Sequence, residues 1–239
     1  MSKESVVTVG MSDAKLLNLA TAPKEGLLIV LACHVVYEIG SGKCYAEHES
    51  DAPIYEAQLR YAFKHFAWRL DAKPVMTPSG GPTKKPTRSE GASYIDWART
   101  LGIAIPNDVI SEDYALTTSE NLLFSVYRYH QHRGMMPAAI DVISWGFKAR
   151  RFAATLDAIN KWGMIGATLP SINFFPVGNL YGSFLNKVQA DEDNYIKSLQ
   201  HGLDHIYSDS ATAAAIARRD PHDSRSSVRS FYAGYPMPF

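Results

Sequence analysis

The feature that most constrains the fold is an unbroken apolar run at residues 27–36 (LLIVLACHVV), which is rich in branched side chains. Strict alternation of apolar and polar residues would indicate a strand with one face in water, whereas a continuous run indicates a strand buried on both faces. Strands of that kind are typical of parallel sheets covered by helices on both sides. The run is about half as long as a membrane span, so we do not interpret it as a transmembrane segment.

Strand-like runs and helix-length amphipathic segments alternate along the rest of the chain. We predict strands at residues 27–36, 74–77, 108–111, 139–144 and 167–175, and helices at residues 54–70, 89–102, 118–132, 148–162 and 191–207. This alternation predicts an α/β fold with an open, mostly parallel, Rossmann-like sheet, right-handed crossovers and helices on both faces.

The length of 239 residues is enough for one or two domains and for a sizeable core. We expect residues 1–210 to form a single α/β domain. Residues 211–239 are rich in Ser, Arg and Pro, so we expect an extended C-terminal arm that packs on the body or on a partner subunit. In the second case the arm would build a homo-oligomer.

Charge and cysteine usage exclude several classes of protein. The chain has 24 basic and 24 acidic residues, whereas general nucleic-acid or membrane-surface binders normally carry a basic excess, so we expect neither partner. The two cysteines, Cys33 and Cys44, cannot build a disulfide scaffold or a multi-cysteine zinc site. Residues 1–10 lack the apolar core of a signal peptide. We therefore expect a cytoplasmic protein.

Ligands of open α/β sheets bind outside the carboxyl ends of the strands, so the turns after the predicted strands are the first places to search. One such turn is Ser79-Gly80-Gly81. Its glycines would let the backbone approach a ligand, its N–H groups could form an anion nest, and a helix beginning near Ser89 would add its positive end. The simpler interpretation is a flexible turn followed by solvated lysines such as Lys84. The spacing of a P-loop is absent here.

A second segment, Thr117-Thr118-Ser119-Glu120-Asn121, lies at the start of the predicted helix at residues 118–132. The simpler interpretation is a helix start, with a Thr or Ser cap and an acid in the first turn. That interpretation does not explain Asn121, which is a poorer helix former. We therefore keep Thr118 and Asn121 as candidate ligand-binding residues and Glu120 as a candidate catalytic carboxylate.

A third segment opens the helix at residues 148–162 with three cations, Lys148, Arg150 and Arg151. The positive end of a helix disfavours cations, so this arrangement is electrostatically inconsistent unless an anion binds there. Local inconsistency of this kind is typical of functional sites. The alternative is that Arg150 and Arg151 pair with surface acids. Lys148 and Arg151 are candidate ligand-binding residues.

His34 lies at the end of the first predicted strand. A single histidine after an apolar run is more often a hydrogen-bonded core residue than a ligand. Its position at the carboxyl end of a strand nevertheless makes it a candidate ligand-binding residue.

No metal-binding motif is recognisable among the eight histidines. Four carboxylates near the segments above could hold a divalent ion, although their spacing does not require one: Glu90, Glu112, Asp113 and Glu120. We expect no dedicated metal site.

In combination these segments resemble the SanA/ElyC/YdcF family, a Rossmann-like domain whose members are mostly of unknown function. The resemblance covers roughly residues 27–162. It lies in the order of an apolar first strand, Ser-Gly-Gly at 79–81, Ser-Glu-small at 89–91, Thr-x-Glu-Asn at 118–121, and a strand that ends in Ser144 before an aromatic, a basic and an arginine residue. The Phe-Lys-x-x-Arg form is more similar to the soluble branch common in eukaryotes.

The chain departs from the family at three places. The first strand ends in Ala32-Cys33-His34 rather than in a glycine-containing turn, Lys148 stands where the family has a histidine, and the N-terminal membrane helix of the bacterial envelope members is not seen. A lysine at that position suits anion binding better than proton transfer, unless burial lowers its pKa.

The resemblance implies that nine residues surround one crevice: Ser79, Gly80, Gly81, Glu90, Thr118, Glu120, Asn121, Lys148 and Arg151. Envelope members of the family are linked to cell-wall precursor metabolism, and one soluble bacterial member is associated with S-adenosylmethionine, which makes that compound a candidate cofactor.

We therefore expect a protein that binds a small anionic or nucleotide-like ligand at the carboxyl edge of the sheet. One alternative is a hydrolase or transferase for a phosphate-containing molecule, with Glu90 or Glu120 activating water. A second alternative is a non-enzymatic interaction protein that uses its C-terminal arm.

Overall fold

The computed structural model describes residues 25–46, 49–85, 87–161, 168–178 and 183–199. The predicted C-terminal arm at residues 211–239 lies outside the described residues. Among the residues that are described, no helix is long and apolar enough to cross a membrane.

The described residues contain six strands and five α-helices. The strands are β1 (Leu27–Ala32), β2 (Val36–Glu38), β3 (Lys43–Tyr45), β4 (Val75–Ser79), β5 (Ala139–Ser144) and β6 (Ile172–Pro176). The helices are α1 (Ala52–Trp68), α2 (Glu90–Thr100), α3 (Thr118–Arg133), α4 (Ala149–Lys161) and α5 (Ser183–Leu199).

Four of the strands form one parallel sheet in the order β4-β1-β5-β6. Ile29 of β1 is in register with Met76 of β4 on one side and with Asp141 of β5 on the other, and Asp141 is in register with Asn173 of β6. The predicted α/β fold with an open, mostly parallel sheet is confirmed.

The alternating residues of β1 feed two separate cores, as expected for a strand buried on both faces. Leu27, Ile29 and Leu31 pack in a cluster with buried residues of α1 and α2. Leu28 and Val30 pack in a second cluster with buried residues of α3 and α4. The sheet is therefore covered by helices on both faces, as the sequence predicted.

The first strand is shorter than predicted, because it ends at Ala32 rather than at residue 36. Ala32 is the last residue of β1 in register with β4, where it faces Ser79, and Cys33 donates its N–H to the Ser79 carbonyl (2.9 Å). The chain then leaves the sheet, and its apolar residues continue into β2, which pairs with β3 as a separate antiparallel hairpin.

The strand predicted at residues 108–111 is replaced by two isolated parallel bridges, Met76 with Val109 and Ser79 with Glu112. The ladder is interrupted because Pro78 has no N–H to donate at the position between the bridges. Hydrogen bonds resume on either side, with Ile110 N–H donating to Met76 O and the Glu112 N–H to the Pro78 carbonyl. Counting this edge segment, the parallel elements follow the order 3-2-1-4-5 of doubly wound folds.

The starts of α2 and α3 follow local capping signals. Ser89 caps α2 by accepting a hydrogen bond from the N–H of Ala92 (3.1 Å), as predicted. In contrast, α5 begins at Ser183 and not at the predicted Asp191. We predicted the later start because acidic residues are favourable in the first turn of a helix. Here Glu192 and Asp193 lie within the helix, where they pair with arginines of α4.

Candidate functional site

The strand order changes direction between β1 and β5, and we call the space outside the carboxyl ends of these two strands the crevice. From β1 the chain crosses to β4 on one side, and it later returns to β5 on the other side. The two crossovers diverge at this point, which is where open α/β sheets bind their ligands. His34 follows β1 at one wall of the crevice, and the turn Gly146–Lys148 follows β5 at the other.

Four basic side chains, His34, Lys84, Lys148 and Arg151, surround this crevice, and we call them the basic cluster. The positive charge of Lys148 is the main reason that the pKa of His34 lies well below its usual value, and burial, Lys84 and Arg151 lower it further. The four groups come from the ends of β1 and β4, from the turn after β5 and from α4. The structure therefore brings together three predicted site residues that are far apart in the sequence, and it adds Lys84, which we did not predict there.

Lys148 is the most unusual member of the basic cluster. Its side chain is half-buried, with the ammonium nitrogen 6.0 Å from the centre of the Phe147 ring. Burial lowers the pKa of Lys148 to about 8, the charge of Arg151 adds to that effect, and the carboxylates of Glu192 and Glu90 oppose it. Among the described residues, no carboxylate lies within ion-pair distance of Lys148.

The two arginines at the start of α4 are paired with acids of α5. Arg150 lies 3.0 Å from Asp193, and Arg151 Nε donates to Glu192 Oε2 at 2.6 Å. The Arg151 guanidinium also stacks on the Tyr195 ring at 4.4 Å. Both arginines thus pair with acids, although the partner of Arg151 is a buried acid and not the surface acid of the simpler alternative, and protein carboxylates already balance their charge.

The turn Ser79-Gly80-Gly81 lies at the crevice, but its N–H groups do not form an anion nest. Gly80 donates its N–H to the Glu112 carbonyl at 3.0 Å, and Gly81 donates to the Ala115 carbonyl at 2.6 Å. The hypothesis that these donors bind an anion is therefore corrected. Packing explains why a glycine occupies position 80, because a Cβ there would lie 2.7 Å from Glu90 Oε2.

The positive end of α2 is occupied by a carboxylate of the protein itself. Asp113 Oδ1 accepts a hydrogen bond from the Ala92 N–H at 3.0 Å and one from the Ser89 hydroxyl at 2.6 Å. A negative charge at this place favours the helix. Asp113 therefore occupies the place at the start of α2 where we expected a bound anion. Its role as a cap cannot be seen from local spacing.

Glu120 serves as part of a helix cap. Thr117 is the N-cap of α3, and its hydroxyl accepts the Glu120 N–H at 3.2 Å. In return, Glu120 Oε2 accepts the N–H groups of Leu116 (2.8 Å) and Thr117 (3.1 Å). The simpler interpretation of this segment as a helix start is observed, with the cap one residue before Thr118. The Thr118 hydroxyl accepts a hydrogen bond from Arg151 at 3.4 Å.

Sequence reasoning missed a buried network around Ser79. The Ser79 hydroxyl lies 2.6 Å from Glu112 Oε2 and 2.7 Å from Asn121 Oδ1. Burial raises the pKa of Glu112 to about 8, although hydrogen bonds from Ser79 and from the N–H groups of Tyr114 and Ala115 oppose the shift. Ser79 has a single hydroxyl proton, so it donates to one of these two acceptors at a time.

Of the two candidate catalytic carboxylates, Glu90 is the one whose charge acts on the basic cluster. It is buried, it accepts a hydrogen bond from the Thr83 hydroxyl, and its charge raises the pKa of Lys148. The structure therefore brings Glu90 to the basic cluster, whereas Glu120 is committed to the start of α3.

The four carboxylates considered for a divalent ion have separate roles. Asp113 and Glu120 cap helices, whereas Glu90 and Glu112 accept hydrogen bonds from hydroxyl groups. Within the ranges that the structure describes, no group of three or more His, Cys, Asp or Glu side chains is arranged to hold a metal ion.

A second concave feature lies between β2 and α2, with a volume of about 300 Å³. Its charged lining residues form two ion pairs, Lys85 with Glu38 and Arg88 with Asp96. Since these charges neutralise each other, the cavity offers no net charge to a ligand. The crevice with the basic cluster is therefore the better candidate for the ligand-binding site.

Comparisons with known proteins add no relative. No protein-family model, no curated protein and no solved structure matches the chain. The resemblance to the SanA/ElyC/YdcF family therefore stays a prediction from the motifs.

Proposed function

We propose that the protein binds a small anionic ligand in the crevice between β1 and β5, with Lys148 as its main contact. The observation that carries this proposal is the half-buried ammonium of Lys148, which lies among other basic groups. No described carboxylate is within ion-pair distance of that ammonium. A phosphate or carboxylate group of the ligand would supply the missing negative charge.

The energetics support an anion rather than a neutral ligand. Removing an ammonium from water is unfavourable, and neighbouring positive charges increase the cost. Both effects lower the pKa of Lys148. A half-buried ammonium among other cations destabilises the folded protein, and a bound anion would offset that penalty. Lys84 would be a second contact, because its charge acts on both His34 and Lys148.

The family resemblance supports a nucleotide-like ligand and makes S-adenosylmethionine a candidate within that class. In this proposal Ser79, Gly80, Gly81, Thr118 and Asn121 shape the crevice rather than supply its charge. A cytoplasmic location fits the balanced charge and the scarcity of cysteine.

The test is thermal unfolding with S-adenosylmethionine, S-adenosylhomocysteine, common nucleotides, inorganic pyrophosphate and divalent ions. A ligand at about 100 times its dissociation constant stabilises a protein by about 2.7 kcal/mol. For a chain of this length that corresponds to a shift of roughly 5 to 10 °C. We expect a shift with at least one anionic compound that Lys148→Met abolishes and the exposed control Lys64→Met retains. An equal shift in all three proteins would contradict the proposal.

A second candidate function is hydrolysis or group transfer on a phosphate-containing ligand. The position of the buried Glu90 carboxylate beside the basic cluster favours it, because a general base and a stabilising cation would then flank the reacting group. The expected result is phosphate release that is lost in Glu90→Gln while anion binding persists. Absence of release by the wild-type protein under saturating ligand would contradict it.

A further inference from the structure

We propose that the cavity between β2 and α2 binds a free α-amino acid with an apolar side chain, a ligand that carries an ammonium and a carboxylate but no net charge. The inference is independent of the proposed function, because none of the described residues that line this cavity belongs to the basic cluster. It assigns the domain a second ligand site, for a ligand of different chemistry.

The cavity has room for such a ligand. Its volume of about 300 Å³ lies at the lower end of the range for small-molecule sites, which is about 300–1,000 Å³. Liquid water takes about 30 Å³ per molecule, so this space corresponds to about ten non-hydrogen atoms, which is the size of leucine.

Part of the lining is apolar. Val36 and Tyr37 of β2 line the cavity, and both are buried. The Tyr37 ring is held by stacking on the Trp97 ring of α2, with the ring centres 5.1 Å apart. Ile39 also lines the cavity and leaves 58% of its surface exposed. An apolar ligand side chain would cover Ile39, and the apolar area removed from water would favour binding.

The charged lining residues form two pairs of opposite sign. Lys85 pairs with Glu38 of β2, and Arg88 pairs with Asp96 of α2. Arg88 donates its N–H to the Lys85 carbonyl at 3.0 Å, so one turn carries both cations. The cavity thus presents two cations and two carboxylates, which complements a ligand with one charge of each sign better than a simple anion or cation.

Other side chains orient the two carboxylates. Glu38 Oε2 accepts hydrogen bonds from the hydroxyl groups of Ser41 at 2.7 Å and Tyr45 at 3.1 Å. Asp96 Oδ1 accepts one from Arg99 at 2.9 Å. Each carboxylate is therefore held through one oxygen, and its other oxygen contacts a cation that lines the cavity.

The two ion pairs can admit a ligand at little cost. The side chains of Lys85, Glu38 and Arg88 are 33%, 34% and 37% exposed, and partly solvated pairs of this kind add little to stability. The planar guanidinium of Arg88 suits a carboxylate, which it can bind through two parallel hydrogen bonds. With the ligand carboxylate on Arg88 and its ammonium on Glu38, every charge in the cavity keeps a partner of opposite sign.

Calorimetric titration of the full chain with L-leucine at pH 7 tests the inference, with three related compounds as matched probes. Leucinamide lacks the carboxylate, N-acetylleucine lacks the ammonium, and glycine lacks the apolar side chain. We expect leucine to bind at least about 10-fold more tightly than each of the three. No binding of leucine, or binding no tighter than that of any one of these probes, would overturn the inference.

The variant Arg88→Met removes the cation assigned to the ligand carboxylate. Its matched control is Arg99→Met, because Arg99 pairs with the same Asp96 but is not among the described residues that line the cavity. We expect Arg88→Met to bind leucine at least about 10-fold more weakly than the wild type does, and Arg99→Met to bind it equally well. Equal affinity of all three proteins would contradict the site.

Two further variants keep the result unambiguous. Glu38→Gln removes the group assigned to the ligand ammonium, so it should also weaken leucine binding, and it replaces Arg88→Met if the unfolding temperature shows that the latter does not fold. Lys148→Met should bind leucine as the wild type does. Loss of leucine binding in Lys148→Met would place the ligand in the crevice, which overturns this inference and leaves the proposed function standing.

Discussion

The hydroxyl of Ser79 lies 2.6 Å from the buried carboxyl group of Glu112. The contact joins the end of β4 to the edge segment at the point where the Pro78 gap has weakened the backbone ladder. Glu112 in turn accepts the N–H groups of Tyr114 and Ala115 and so organises the loop that leads to α3. A buried carboxyl group therefore helps to hold one wall of the crevice.

The stability of the protein should fall with rising pH because of Glu112. Its folded-state pKa of about 8 exceeds the unfolded value of about 4.3, so the folded state holds the extra proton between those values. Stability from this group is full below about pH 4 and is lost as the pH rises to about 8, at up to about 1.4 kcal/mol per pH unit. Urea unfolding between pH 5.5 and 8.5 measures the slope.

Glu112→Gln is the matched variant, because the amide is neutral at every pH and similar in size. Its stability relative to the wild type should increase with pH across this range. Parallel stability curves for the two proteins would show that Glu112 does not titrate in the folded protein.

Replacing Lys148 by methionine should stabilise the protein in the absence of ligand. The folded-state pKa of about 8 lies below the ordinary value near 10.4, so the penalty for burying the charge is fully present below pH 8 and fades as the pH rises to about 10. We expect a gain of about 1 kcal/mol in unfolding free energy at pH 7, discounted for partial exposure, and less at pH 9.5. Urea unfolding at both values tests this, and a loss of stability at pH 7 would be contrary to expectation.

Three glycines should differ in their tolerance of alanine. A Cβ on Gly91 would overlap the carbonyl oxygens of Glu112 and Pro78, which are backbone atoms that cannot move aside. A Cβ on Gly80 would meet the Glu90 side chain at 2.7 to 2.9 Å, whereas one on Gly40 meets nothing within 4 Å. We expect losses of about 3 kcal/mol or more for Gly91→Ala and about 1–3 kcal/mol for Gly80→Ala.

Gly40→Ala is the control for this series and should change the unfolding free energy by less than about 0.5 kcal/mol. The three values come from denaturant unfolding under one condition. Equal effects at Gly40 and Gly91 would mean that the close approach of α2 to β4 is not as described.

A buried charge network under α1 should be costly to break. Asp141 in β5 contacts His65 at 2.8 Å, Asn173 at 2.9 Å and Arg69 at 3.5 Å, and all but Asn173 are buried. Asp141→Ala leaves the Arg69 charge without its counter-ion, so we expect a loss of about 3–5 kcal/mol.

The exposed pair of Arg60 and Glu56, 2.8 Å apart, is the matched control. Glu56→Ala should cost no more than about 0.5 kcal/mol, because exposed pairs within a helix contribute little. A loss below about 1 kcal/mol for Asp141→Ala in urea unfolding would refute the importance of the buried network.

The parts of the fold that could be predicted are those encoded by local patterns. A continuous apolar run identified β1, a largely apolar segment interrupted by Asp141 identified β5, and the capping residue Ser89 marked the start of α2. The position of Lys148 after β5 also followed, because a parallel sheet brings all carboxyl strand ends to one edge.

The parts that could not be predicted depend on pairs distant in the sequence. Nothing near Ser89 indicates that Asp113 completes its cap, and nothing near Ser79 indicates that Glu112 lies beside it. The electrostatic conflict at the start of α4 was visible, but for Arg151 it is relieved by Glu192 of α5, a helix whose predicted start at Asp191 lies eight residues after the observed start at Ser183. Such contacts follow from tertiary packing and not from spacing.

The most direct test of the anion site is calorimetric titration with inorganic pyrophosphate at pH 8 and low salt, in two buffers of different ionisation enthalpy. An anion beside Lys148 raises its pKa above 8, so binding to the wild type should take up a substantial fraction of a proton. The double variant Lys84→Met/Lys148→Met should bind at least about 10-fold more weakly and take up no proton. Equal affinity of the two proteins, or wild-type binding without proton uptake, would contradict the proposal that this crevice binds an anion through Lys148.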